Sequence, residues 1–280
     1  MIESLQALVN SKRLGTQVVF QTVLPQTPAL WSESIPHYPP AIQEALRAAG
    51  IRRLYQHQGR ATAKIRRGEH VIVATPTASG KTLIYTLPVL ERFQTHEKSR
   101  SLYIFPLKAL AQDQLRAFEQ MAAHFEENRP TAAIYDGDTS AYRRKKIRES
   151  PPNVILTNPE MLHLSFLAHH RKWKHFFKNL HIVVVDEVHA YRGIMGSHVA
   201  QIFRRFQRIC RRYGTSPTFI FSSATVANPA RLAQQLTGLP VTAITRSGAP
   251  QGNRHLVFVN PETGPAQAAI LLLKAALHRR

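Results

Sequence analysis

One segment of the sequence combines small residues, a lysine and a threonine in an order that suits phosphate binding. An apolar run ends at Ala74 and leads into Thr75-Pro76-Thr77-Ala78-Ser79-Gly80-Lys81-Thr82, after which a helix-like stretch begins. Backbone N–H groups in such a loop can surround phosphate oxygens, while Lys81 can reach the terminal phosphates and Thr82 can offer its hydroxyl to Mg²⁺. The strict pattern has glycine where Thr75 stands. This segment alone therefore does not separate a phosphate loop from an ordinary strand, turn and helix.

Two adjacent acids supply the other half of that chemistry. The apolar run Ile182–Val185 leads into Asp186 and Glu187, so both carboxylates follow the carboxyl end of a predicted strand, where α/β sheets bind ligands. Mg²⁺ prefers oxygen ligands, and hydrolysis needs a group that orients and deprotonates the attacking water. We assign Asp186 to the metal and Glu187 to the water. Together with Gly80-Lys81-Thr82, the pair predicts a site for ATP and Mg²⁺.

The elements that must position these residues form an alternating pattern. Short β-branched or aromatic runs recur along the chain, and a helix-like stretch follows each of them. Several runs are apolar on both faces, as in strands that helices cover on both sides. The pattern predicts an α/β fold with one doubly wound, mainly parallel sheet. The predicted strands are residues 70–74, 102–105, 132–135, 154–157, 182–185, 219–221 and 241–244.

The two ends of the chain differ from this pattern. Prolines between Pro25 and Pro40 predict an irregular N-terminal leader, and a helix is expected over residues 41–49. Residues 247–252 are typical of a loop, and residues 266–277 of a helix. We therefore divide the chain into a leader (1–39), an α/β domain (40–250), and a linker with a final helix (251–280).

Charge and composition narrow the class of partner. The 280 residues include 37 Lys and Arg but 17 Asp and Glu, a net charge of +20 that favours a polyanion such as nucleic acid. Cys210 is the only cysteine, which excludes a cysteine-based zinc site or disulfide within this sequence. No apolar run is long enough to cross a bilayer and no export signal begins the sequence, so we expect a cytoplasmic location without a membrane partner.

Further motifs, read in order, give the chain a family resemblance. Leu54–Gln58, Phe105–Leu110, Thr157–Met161 and Ser223–Thr225 accompany the phosphate loop and the sequence Asp186-Glu187-Val188-His189. In this set the chain resembles superfamily 2 helicases of the DEAD/DEAH-box kind. The resemblance implies a single RecA-like P-loop NTPase domain over about residues 35 to 280.

The resemblance also implies roles for residues outside the phosphate loop. Gln58 corresponds to the glutamine that reads the adenine edge, and His189, Ser223 and Thr225 to residues that couple nucleotide state to domain closure. The residues that correspond to contacts with a bound single strand are Pro106, Lys108, Thr157, Asn158, Pro159 and Glu160.

Within that superfamily, Leu54–Gln58 and the segments Tyr191-Arg192-Gly193 and Gly196-Ser197-His198 are most similar to MrfA-type bacterial DNA-repair helicases. This implies ATP-driven 3′-to-5′ movement on single-stranded or tailed DNA, with RNA as the alternative. Relatives carry motifs IV to VI, with charge-stabilising arginines, on a second RecA-like domain. Those motifs are not found in residues 1–280, so we expect nucleotide binding, weak hydrolysis at most and no unwinding unless a second domain is supplied in cis or in trans.

Two other function classes remain open from the residues. The chain could be another P-loop enzyme, such as a kinase, or a binding module for ATP or nucleic acid without turnover. A cluster of aromatic residues, Trp173, Phe176 and Phe177, could stack nucleotides, although core packing explains its helical spacing better. Nearby His169, His170 and His175 lack acidic partners, so we expect solvent-exposed side chains and not a metal site.

Overall fold

The computed structural model describes residues 9–11, 15–33, 37–126, 128–262 and 264–277. These residues divide into two compact units. One is Leu30–Ala249, and the other combines the described residues before Leu30 with those after Ala249. Each unit has its own sheet.

The larger unit is built on a seven-stranded sheet whose described strand pairs are all parallel. Its order is β4-β5-β3-β6-β7-β2-β8. The predicted strands are confirmed to within two residues at each end. In chain order the strands of the protein are β1 (Val18–Leu24), β2 (His70–Ala74), β3 (Arg100–Ile104), β4 (Ala132–Ile134), β5 (Val154–Thr157), β6 (Leu180–Val185), β7 (Thr218–Ser223), β8 (Val241–Ile244) and β9 (Arg254–Val259).

Helices connect successive strands of this sheet and cover both of its faces. They are α1 (Pro40–Ala48), α2 (Gln56–Arg66), α3 (Thr82–Thr95), α4 (Lys108–Ala122), α5 (Ala141–Glu149), α6 (Lys174–Lys178), α7 (Gly193–Arg212) and α8 (Pro229–Thr237), with α9 (Pro265–Leu277) in the other unit. Short helical segments lie at Gly15–Gln17, Pro159–Met161, Leu162–Leu167, His170–Trp173 and Val188–Ala190. None of the helices in the described part of the chain is both long and apolar enough to cross a membrane.

Two apolar cores flank the sheet because successive strand residues point to opposite faces. In β2, Val71 and Val73 contribute to the core beneath α1 to α4, whereas Ile72 contributes to the core beneath α7 and α8. Trp173 belongs to the second core, is fully buried, and stacks on Phe166 with ring centroids 4.0 Å apart. The aromatic cluster of Trp173, Phe176 and Phe177 is therefore core packing, as expected.

The smaller unit corrects the prediction of a wholly irregular leader. Val18–Leu24 forms β1, which pairs antiparallel with β9, and the prediction had missed both strands. The run Val-Val-Phe-Gln-Thr-Val-Leu is rich in β-branched residues, and its partner strand lies more than 200 residues away in sequence. Pro25 follows the strand and so does not interrupt it. The predicted final helix is present as α9.

The parallel sheet brings the predicted motifs to one edge. Ala74 is paired with Ser223, and Ile104 is paired with both Thr157 and Val185. Each motif follows the carboxyl end of its strand, so the loops after β2, β3, β5, β6 and β7 all emerge along this edge. The predicted nucleotide-binding motifs follow β2, β6 and β7. The motifs predicted to contact single-stranded nucleic acid follow β3 and β5.

Candidate active site

The loop after β2 is fixed by its own backbone and by neighbouring side chains. Gly80 has a left-handed φ of 75°, which favours glycine, and a Cβ placed there would lie 2.6 Å from Gln58 Nε2, so the Gln58 side chain would have to move. Ala78 also has a left-handed φ, 60°, which costs about 1–2 kcal/mol for a residue with a Cβ. Thr75 Oγ1 and Ser79 Oγ are 2.7 Å apart and close the loop. Threonine in place of the usual glycine thus supplies an internal hydrogen bond.

Lys81 lies inside this loop. Its Nζ donates to the carbonyls of Thr75 and Pro76 at 2.9 and 3.0 Å. Burial lowers the pKa of Lys81, while the charges of Glu187 and Asp186 act in the opposite direction. The structure therefore brings the loop lysine close to both predicted acids. Thr82 begins α3 directly after it.

The acids after β6 are held in a strained turn. Asp186 extends the sheet through its N–H, which donates to the Ile104 carbonyl at 3.0 Å, and its Oδ1 accepts from the Glu187 N–H at 2.9 Å. Glu187 has a left-handed φ of 50°, the kind of outlier that clusters at functional sites. Asp186 is 9% exposed, and the Glu187 side chain 30%.

His189 connects the acid pair to the loop after β7. Its Nδ1 lies 3.1 Å from Glu187 Oε2 and 3.4 Å from both Ser223 Oγ and the Ala224 N. Ser223 is fully buried, whereas Thr225 is exposed. One imidazole therefore contacts both Glu187 and the β7 loop, whereas no hydrogen bond between Thr225 and His189 is present in the described part of the chain.

Gln58 ties the N-terminus of α2 to the phosphate loop. Its Oε1 accepts from the Tyr55 N–H at 2.9 Å, and its Nε2 donates to the Gly80 carbonyl at 2.9 Å. A primary amide has two donor hydrogens and two acceptor lone pairs, so one of each is left for a base edge. The hydrogen-bonding capacity of the amide is compatible with the predicted contact with adenine, although the residue is only 2% exposed.

His57 is a site residue that sequence reasoning missed. Its Nδ1 accepts from the Gly248 N–H at 3.0 Å, which leaves Nε2 protonated to donate to the Ser79 carbonyl at 2.9 Å. Burial lowers the pKa of His57 and keeps the imidazole neutral. The ring therefore fixes the phosphate loop against the segment that follows β8. The partner Gly248 lies 191 positions along the chain, so no local pattern indicates the contact.

The six residues predicted to contact single-stranded nucleic acid differ in their solvent exposure and hydrogen bonding. Lys108 and Glu160 are exposed, and Lys108 Nζ pairs with Asp138 Oδ2 at 2.7 Å. Thr157 is buried and its hydroxyl donates to the Tyr135 carbonyl at 2.6 Å. Asn158 caps the next helical turn by accepting from the Met161 N–H at 2.8 Å. Pro106 is half-buried and Pro159 is buried, so of the six residues mainly Lys108 and Glu160 offer side chains to a ligand.

The predicted exposure of three histidines is confirmed for His169 and His175, whereas His170 is half-buried, with its Nδ1 2.8 Å from the Tyr213 hydroxyl. The described residues contain no group of three or more His, Cys, Asp or Glu that could hold a metal ion. Burial raises the pKa of the Cys210 thiol to about 12, so this cysteine is an unreactive core residue.

Comparison with known proteins gives the same assignment. The DEAD/DEAH box helicase family model matches residues 55–232. The ATP-dependent helicase YprA of Bacillus subtilis is 48% identical over 227 residues, which are 80% of this chain and 30% of YprA. The ATP-dependent helicase HRQ1 of Saccharomyces cerevisiae is 42% identical over 215 residues, 75% of this chain and 20% of HRQ1.

A solved structure extends the likeness to almost the whole chain. The DUF1998 helicase MrfA bound to DNA and AMPPNP superposes with a TM-score of 0.90 and 40% identity, covering 99% of this chain and 38% of that one. The present chain thus spans well under half the length of each of these relatives. The chain belongs to the DEAD/DEAH box helicase family.

Proposed function

We propose that residues 1–280 form the ATP-binding motor domain of an ATP-dependent DNA helicase or translocase. The observation that carries this proposal is the convergence of Lys81, from the β2 loop, with Asp186 and Glu187, from the β6 loop, at one sheet edge. The DNA- and AMPPNP-bound state of the similar MrfA structure supports the choice of ligands.

In this proposal the phosphate loop binds the triphosphate of ATP. Lys81 exchanges the carbonyls of Thr75 and Pro76 for phosphate oxygens, and the N-terminus of α3 adds its partial positive charge. Gln58 uses its remaining donor and acceptor for the adenine edge. The neighbouring side chains of Thr77 and Ala78 are exposed, so the loop is accessible to a ligand.

The donor set fits Mg²⁺. Thr82 offers a hydroxyl and Asp186 a carboxylate, and the few protein oxygens suit a metal that keeps waters and takes the remaining ligands from phosphates. Bound Mg²⁺ would neutralise charge that develops during phosphoryl transfer. Glu187 would orient the attacking water and accept its proton. His189, in contact with Glu187 and Ser223, would pass the change to the β7 loop.

A second domain would complete the site from the exposed side. The Glu187 and His189 side chains are 30% and 38% exposed, so water reaches the catalytic groups freely in this domain. Opposing arginines, as in phosphoryl-transfer enzymes generally, are worth about 10³–10⁵ in rate. We therefore propose a second RecA-like domain, in cis or in trans, as the partner for fast turnover and unwinding, with single-stranded or tailed DNA bound near Lys108.

Turnover measured with and without DNA tests this proposal. Purified residues 1–280 should bind Mg-ATP, hydrolyse it slowly, and hydrolyse it faster when single-stranded DNA is added. They should not separate a tailed duplex. ATP-dependent unwinding by this domain alone, lost in Glu187→Gln, would contradict the need for a second domain. Phosphate transfer to a small molecule, with no response to DNA, would favour a kinase.

A further inference from the structure

A basic groove lies between α7 and α8, outside the residues assigned to the nucleotide and to the bound strand. It has a volume of about 650 Å³. Three arginines line it: Arg192 immediately before α7, Arg204 within α7, and Arg231 on α8. All three are exposed. The remaining polar lining comes from Ser197, Gln201, Asn228 and Gln235.

The positive charge of the groove is not neutralised by nearby carboxylates. No acid lines it. Across the described ranges, none of the three guanidinium groups has a carboxylate within 4.0 Å or a side-chain hydrogen bond, whereas Arg47, Arg66 and Arg67 on α1 and around the end of α2 are all paired with glutamates. Unpaired arginines with flanking amide donors are the composition of a site for phosphate oxygens.

The groove is built by a motif to which the proposed chemistry gives no role. Gly193 begins α7 with a φ of 57°, and a Cβ on Gly196 would lie 2.7 Å from the Tyr191 carbonyl. Both glycines therefore permit the tight turn next to Arg192, which lines the groove. The segments Tyr191-Arg192-Gly193 and Gly196-Ser197-His198 thus specify the shape of one wall of the groove.

The groove is also adjacent to the active site. Tyr191 lines it, is buried, and directly follows the helical turn that carries His189. Burial raises the pKa of Tyr191, and the charge of Asp186 raises it further, which places the ring near the proposed metal ligand. The strand-binding motifs follow β3 and β5, on the other side of β6 from β7. Ala227 and Asn228, from the loop after β7, line the groove, so it is formed by a different loop from those that carry the predicted DNA contacts.

We propose that this groove binds the phosphodiester backbone of the duplex part of a tailed DNA substrate, in addition to the single strand held near Lys108. The inference rests on the proposed function, since it assumes a nucleic-acid substrate. The duplex is favoured over a second single strand because its charge density is higher and because, in a tailed substrate, it is continuous with the single strand proposed to lie near Lys108.

Binding of a tailed duplex and of its single-stranded tail alone tests the inference. The double variant Arg204→Ala with Arg231→Ala should weaken binding of the tailed duplex about tenfold and reduce the salt slope by about 1.8, or 0.9 for each duplex phosphate. Binding of the tail alone should change less than twofold. The matched control is Arg211→Ala with Arg212→Ala, which removes the same charge from two exposed arginines at the far end of α7.

The outcomes separate the groove from the function on which it rests. If both double variants lost the same affinity for the tailed duplex, or neither lost any, the proposal that the groove binds the duplex would be wrong. The proposed function as a motor domain would be unaffected. Failure of the unmodified chain to bind any DNA would overturn the proposed function itself. Thermal unfolding should be the same in all variants, because the substituted side chains are exposed.

Discussion

The two halves of the functional edge are built in different ways. The phosphate loop is bonded from three sides, by His57, by Gln58 and by Lys81, and its partners are mostly buried. In the region proposed to contact DNA, which follows β3 and β5, Lys108 lies on the surface with its side chain 52% exposed. The shape of the proposed nucleotide site is thus fixed by buried, hydrogen-bonded groups, whereas attraction to a polyanion depends on exposed charge. Variants at the two regions should therefore differ in size and kind of effect.

The largest effect is expected at Glu187. Glu187→Gln removes the proposed base while preserving the volume of the side chain, so slow ATP hydrolysis should fall about 10²–10⁴-fold. Nucleotide affinity should be nearly unchanged, because Lys81 and the loop remain. Glu149→Gln, an exposed acid at the end of α5, is the control and should keep full turnover. Loss of turnover in both variants would contradict a specific role for Glu187 as the base.

A smaller but still large effect is expected at His57. His57→Phe leaves the Ser79 carbonyl and the Gly248 N–H without partners, which costs about 1–3 kcal/mol for each buried group in unfolding free energy. Nucleotide affinity should fall with it. His70→Phe is the matched control, because His70 Nδ1 also accepts a backbone N–H, that of Phe219, but at the other end of β2. It should destabilise the fold without changing nucleotide affinity, and an equal affinity loss would contradict a specific role for His57.

Acidification should produce a moderate loss of stability. Burial lowers the pKa of His57, His70 and His181 below the ordinary value of about 6.5. The unfolded chain therefore binds more protons than the folded chain below that pH, so stability is present above about 6.5 and is lost as pH falls toward the lowered values. Thermal unfolding at pH 7.5 and 5.5 measures this. A constant midpoint would show that these histidines titrate normally in the folded state.

The smallest effects are expected at Lys108 and its partner Asp138, in the region proposed to contact DNA. Lys108→Ala should weaken single-stranded DNA binding a few-fold and reduce the magnitude of the log–log salt slope by about 0.7. Asp138→Asn should strengthen binding, because the Asp138 carboxylate pairs with Lys108 at 2.7 Å and competes with phosphate. Both are measured by fluorescence anisotropy over a series of salt concentrations. Changes in the same direction for the two variants would exclude Lys108 as a phosphate contact.

The sequence predicted those parts of the molecule that local pattern determines. The buried strands were predicted because both their faces are apolar, and the phosphate loop and acid pair because their chemistry needs particular residues at particular spacings. β1 and β9 were missed because each is stabilised by the other across the length of the chain. His57 was missed for the same reason, since its role depends on Gly248. Thr157 was predicted to contact a bound single strand, but its hydroxyl donates to the Tyr135 carbonyl. The sequence could not predict that hydrogen bond, because Tyr135 directly follows β4, whereas Thr157 ends β5.

The most direct test of the phosphate site is the affinity of residues 1–280 for Mg-ATP, measured by calorimetry with the natural chain and with Lys81→Ala. Lys81 is half-buried and its Nζ bonds only loop carbonyls, so the variant should keep its fold, as judged by circular dichroism. Charge-assisted hydrogen bonds are worth about 1.5–3 kcal/mol each, so affinity should fall about 10- to 100-fold or more. Equal affinities in two folded proteins would contradict the assignment of this loop as the nucleotide site.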